Sequence, residues 1–179
     1  MLQMKKHNDI DRDKLSALIV GDMGFRISAE NLADMGTDLI MMEHESLSDK
    51  TKLNANGLLV AAIVLFALAC EAGMKTLIME GERDTHDLKV LFDRLTDEEK
   101  EDIRKRVVPE IEGDFEQMLN DNKLVYDSWL RFYIGGVNIY EQYVFLKAFV
   151  HAINIHVTEV VKENFSGMNY YLYDDSIES

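Results

Sequence analysis

Residues 57–70 read Gly57-Leu58-Leu59-Val60-Ala61-Ala62-Ile63-Val64-Leu65-Phe66-Ala67-Leu68-Ala69-Cys70, with no charge among them. About 14 apolar residues fall short of the roughly 20 that a membrane-spanning helix needs. Asn54, Asn56 and Glu71 flank the run, and it continues as a patterned helix over about 52–80. Leu58, Ala62, Leu65, Ala69 and Met74 share one face, and Ile63, Phe66 and Cys70 a neighbouring one. A helix apolar on most sides belongs in the middle of a bundle. Ala61, Ala62, Ala67, Ala69, Ala72 and Gly73 would let neighbouring backbones come close. Gly81 is placed to stop the helix.

Working outward, residues 28–47 carry Leu32, Met35, Leu39, Ile40 and Met42 at helical spacing, with Ser28 as the expected cap. On the other side, Thr85 is expected to cap a helix over 86–95. Its apolar face is Leu88, Leu91, Phe92 and Leu95. Thr96 with Glu99 three residues on forms a capping box for a polar helix over 97–107. Pro109 precedes a third short helix over 110–119. Residues 121–138 are less regular and hold Trp129 and the turn-like pair Gly135-Gly136. A last long helix runs over 139–164, with Tyr143, Leu146, Val150, Ile153, Val157 and Val160 as its stripe. The expected architecture is an all-α, up-and-down bundle of about five to seven helices, two of them long. It forms a single helical domain over 1–179.

The 179 residues hold 33 acidic and 19 basic side chains, for a net charge of −14. Bulk basic attraction to nucleic acid is thereby excluded, since phosphate affinity comes from Lys and Arg. Cys70 is the only cysteine, which excludes an internal disulfide and a cysteine-based zinc site. A single proline in the whole chain suits helices. Residues 1–13 are polar and contain no apolar core of a secretory signal, so the expected location is the cytoplasm. From Glu80 to Glu116 the chain carries 14 acidic and 7 basic residues, read as a solvated acidic face.

A second group of residues carries a family resemblance. Glu71-Ala72-Gly73-Met74-Lys75-Thr76-Leu77-Ile78 is followed, after a short gap, by Thr85-His86-Asp87-Leu88 and Leu91-Phe92-Asp93-Arg94-Leu95. Further on stand Trp129-Leu130-Arg131-Phe132-Tyr133, then Phe145, Leu146 and Phe149. In order and spacing these resemble the HEPN family (higher eukaryotes and prokaryotes nucleotide-binding domain) over about 53–160. Residues 1–50 then form an N-terminal helical addition and 166–179 an acidic tail. The resemblance implies a helical bundle, often a homodimer, of the kind found in RNA-targeting toxins and defence proteins. Nucleases of that family carry Arg, four to six residues, then His. No histidine stands five to seven positions after any of the seven arginines here; Arg83 and His86 come nearest, with a gap of two.

The candidate site follows from the same residues. Glu71 comes after an almost wholly apolar stretch, and a carboxylate there needs a partner. Lys75, one turn on, is one candidate. Arg131 is another, as a guanidinium that could fork onto a carboxylate. His86 suits acid–base work and Asp87 could orient it; alternatively His86 packs at the turn and Asp87 favours the helix N-terminus. Together Glu71, Lys75, His86, Asp87, Arg131 and Tyr133 could line a polar crevice for a phosphate, nucleotide or RNA end. Glu71, His86 and Arg131 are the candidate catalytic groups. Trp129, Tyr133, Tyr140 and Tyr143 could stack bases or pack in a core. His151 and His156 lie about 140° apart on a helix and do not share a face, so no metal site is expected. Asn8 to Asp13 mimics a calcium loop but lacks its glycine and closing glutamate. Gly21-Asp22-Met23-Gly24 is too short for a phosphate loop. Cys70 reads as an inert core thiol.

Three functions remain open. One is a non-catalytic protein acting as a homodimer with a protein partner in an RNA-linked, toxin–antitoxin-like or defence setting. Another is a ribonuclease or nucleotide-binding enzyme, which the acidic charge disfavours. The third is an interaction module unrelated to RNA. No cofactor and no membrane are expected.

Overall fold

Ser48 opens the central helix by accepting a hydrogen bond from the Thr51 amide at 3.2 Å. Asp49 in its first turn and Lys75 in its last complement the helix dipole. The computed structural model describes residues 12–42, 48–78, 85–125 and 138–164. Among them lie six α-helices, one 3₁₀ turn and no strand. They are α1 (Arg12–Met42), α2 (Asp49–Leu77), α3 (Leu88–Asp93), α4 (Asp97–Val107), the turn Val108–Glu110, α5 (Phe115–Asn122) and α6 (Ile139–Asn164). The chain is an all-α bundle.

α2 is its axis. Ile63, Phe66, Ala67, Ala69, Cys70 and Met74 are wholly shielded from solvent. α2 and α6 are long and apolar enough to cross a membrane, and 67 % of the apolar window of α2 is buried inside the fold. α1 lies antiparallel along α2. Gly36 faces Ala55, Leu58 and Leu59 at one end, and Asp22 faces Gly73 at the other. α6 runs in the same direction as α2. Tyr143 packs on Phe66 with ring centroids 6.0 Å apart, and Ile153 packs on Gly73. A Cβ at Gly73 would stand 2.5 Å from Ile153 Cγ2, so the α2–α6 contact requires glycine there. Phe92, Phe115, Phe145 and Phe149 interlock edge-on and stacked, and they seal α3 and α5 against α6.

Several boundaries differ from expectation. The first helix starts at Arg12, so Ser28 lies inside it rather than capping it, and three long helices, not two, stand among the described residues. Buried positions Ile19, Asp22, Arg26, Ala29, Ala33 and Gly36 recur at three and four. Apart from Ile19 this stripe is made of small and charged residues, so hydropathy alone hides it. Asp87, not Thr85, caps α3, accepting from the Val90 amide at 3.0 Å. Pro109 sits in the 3₁₀ turn, and α5 opens only at Phe115 under an Asp114 cap. The Thr96–Glu99 capping box, the helix Asp97–Val107 and the last helix from Ile139 stand as expected. Gly81, Trp129, Gly135, Gly136 and the acidic tail lie outside the described residues.

Candidate functional site

Glu71 is the first charged residue after the apolar run of α2, and the helix turns it inward, to 8 % exposure. A buried carboxylate without partners would be costly. A single oxygen, Oε1, is reached by Lys75 Nζ at 2.5 Å from one turn on and by His86 Nδ1 at 2.9 Å from the segment before α3. Lys75 is nearly as enclosed as Glu71, whereas the His86 side chain is 67 % exposed. An ionised carboxylate only accepts, so Nδ1 carries the proton and Nε2 is the ring's other nitrogen.

The neighbouring backbone fixes His86 in place. Thr85 Oγ1 accepts from the Asp87 amide at 3.1 Å, and the Leu88 amide donates to the Lys123 carbonyl at 2.9 Å. The Asp87 carboxylate is spent on the α3 cap, so Glu71 rather than Asp87 orients the histidine. Three of the expected residues, Glu71, Lys75 and His86, therefore meet, and Asp87 stands beside them in another role. Arg131 and Tyr133 lie outside the described residues, as does Trp129. Cys70 is fully buried; burial, and then the nearby Asp22, push its thiol well above the usual range. It is a core thiol, as its sequence context suggests. Chemically, the cluster presents an oriented imidazole at the surface, backed by a carboxylate and an ammonium. That pairing can steer a proton, and it can equally pin the end of α2 to the start of α3.

Two further polar clusters were not legible in the sequence. The first joins α4 to α6. His156 Nδ1 lies 3.1 Å from Asp102 Oδ2, and Arg106 bonds both Asp102 and Glu159. Burial raises the Asp102 pKa, but Arg106 and His156 together outweigh it and hold the carboxyl below its usual range. Asp102, His156 and Glu159 offer three ligand atoms within 4.8 Å of one another. The Arg106 guanidinium already bonds both carboxylates, so the resident cation of this cluster is an arginine. His151 instead lines a groove of about 900 Å³ between α1, the end of α4 and α6. Glu30 and Asp34 form one wall of it and Lys105 and Arg106 the other, over a floor with Tyr140 and Tyr143. Tyr140 is 68 % exposed there, whereas Tyr143 leans on core Phe66. Tyr140 is the more open of the two, with its ring 6.3 Å from that of Tyr143.

The second cluster lies under α1. Asp22 is 1 % exposed against Gly73, and Arg26, one turn on, pairs with Glu30 at 3.0 Å. Burial drives the Asp22 pKa from 3.8 up to about 7, against the pull of Arg26. An aspartate at 22 carries no pattern that marks it as buried; only the register of α1 on α2 does.

Comparison of the chain with protein-family models, with curated proteins and with solved structures finds no match in any of the three.

Proposed function

We propose that the chain is a non-catalytic, HEPN-like helical protein that acts in the cytoplasm by dimerising and by binding a protein partner. The RNA-linked or defence setting follows from the family resemblance alone. The observation that carries the non-catalytic part is the sharing of Glu71 Oε1 between Lys75 and His86. The carboxylate is satisfied internally, and the contact ties two helices together across 15 positions of sequence. The missing Arg-to-His nuclease spacing and the net charge of −14 support the same reading.

A second reading is a ribonuclease or nucleotide-binding enzyme using Glu71, His86 and Arg131. It is favoured by one feature, the exposure of an imidazole whose Nδ1 is held by a carboxylate. Incubating the purified chain with single-stranded and structured RNA separates the two. The proposed reading expects intact RNA with both the natural chain and His86→Ala. Cleavage by the natural chain that disappears in His86→Ala would install the enzyme reading.

A further inference from the structure

Between Ser16 and Ala29 the chain carries only two charges, Asp22 and Arg26, and the fold buries both. The outward side of this part of α1 is left without a single charge, in a chain that is 29 % charged. Its outer stripe is Ala17, Val20, Gly24 and Ile27, all exposed and spaced at three and four; it continues through the exposed Asn31 and Met35, where Asp34 and Asp38 flank it. Val20, Ile27 and Met35 are exposed by 66 %, 39 % and 56 %. The charge-free part of the stripe, from Ala17 to Ile27, is about 15 Å long at the rise of an α-helix. Nothing lies within 4 Å of where a Cβ on Gly24 would be, so this point of the stripe is open to close approach by another helix.

We propose that this stripe of α1 is the surface through which two copies of the chain associate, antiparallel, with the two-fold axis passing near Gly24. The inference rests on the self-association in the proposed function and specifies its surface. Charge selects the occupant. Two bodies of −14 repel each other, and they can meet without burying like charges only over an uncharged patch. A basic partner, by contrast, would be drawn to the acidic faces, and the stripe offers it no counter-charge. A two-fold contact is self-complementary, so Val20 of one copy would pack by Ile27 of the partner subunit, with both Gly24 backbones at the crossing. One helix stripe is a small interface, so the association is expected to be reversible, with Kd on the order of micromolar.

The test is sedimentation velocity on the full chain and on Val20→Glu and Ile27→Glu, with helicity checked by circular dichroism. A Gly24→Cys variant adds a positive reading. Its thiols would face each other across the axis and form an intermolecular disulfide on mild oxidation, while Glu101→Cys, on exposed α4, would not. The expected result is a concentration-dependent dimer for the natural chain, a single-chain mass for both glutamate variants, and selective cross-linking at position 24. A natural dimer that survives both glutamate substitutions would overturn this surface while leaving self-association standing. A single-chain mass for the natural protein at every concentration would overturn both. Glutamate variants that keep the natural mass but lose thermal stability would show the stripe covered by the chain's own residues, and would also overturn it.

Discussion

Asp22 shows how much a single side chain can hide. It lies on α1 against Gly73 of α2, and burial lifts its pKa to about 7. The folded chain therefore binds a proton that the unfolded chain releases near pH 4. The corresponding stability is present in full below about pH 4 and is lost as pH rises through about 7. The span corresponds to roughly 4 kcal/mol at most. Asp22→Asn removes the ionisation, so its melting temperature should overtake that of the natural chain as pH climbs from 5 to 8. Parallel melting curves across that range would contradict the account. Glu71 and His86 make a contrasting pair. His86→Ala should cost no more than about 1 kcal/mol, because the ring is largely solvated. Glu71→Ala leaves the enclosed Lys75 ammonium without its carboxylate and should cost about 3 kcal/mol or more. Urea unfolding of the two variants measures the difference.

At the level of elements, the bundle depends on small residues where long helices cross. Gly73 admits Ile153, and a methyl group there has nowhere to go. Gly73→Ala should destabilise the fold by about 1–3 kcal/mol through displacement of α6, despite the better helix propensity of alanine. A neutral or stabilising result in thermal unfolding would mean that α2 and α6 are not in the contact described. The same crossings explain which helices were legible. α2 and α6 declare themselves because leucine, isoleucine and phenylalanine mark their buried faces. The capping box at Thr96 is equally plain, since its two partners are three residues apart. α1 begins 16 residues before the start that hydropathy marks, at Arg12 rather than Ser28. Apart from Ile19, its inward stripe is alanine, glycine, aspartate and arginine, while Ile27 and Val20 face out. Hydropathy measures side chains, whereas helix packing at close range selects for their absence.

For the whole molecule, part of the candidate site was readable because it is nearly local. Glu71 and Lys75 are one turn apart, and a buried carboxylate announces its need for a partner. That Glu71 rather than Asp87 orients His86 depends on how α2 and the start of α3 are docked, which no spacing rule fixes. The α4–α6 cluster of Asp102, Arg106, His156 and Glu159 spans more than 50 positions and appears only once the helices are docked. What results is a strongly acidic body whose Glu71 and Asp102 carboxylates are paired internally, with an uncharged outer flank on α1 over residues 16–29. The central claim is that such a chain works by association rather than by chemistry on RNA. The most direct test is size-exclusion chromatography of the full chain from its native host, with light scattering and two-wavelength absorbance on the same peak. Loaded well above micromolar concentration, the peak is expected to have a protein-only absorbance ratio and to hold two copies of the 20.6 kDa chain. A single-copy particle at that concentration, or one carrying stoichiometric RNA or nucleotide, would contradict the reading.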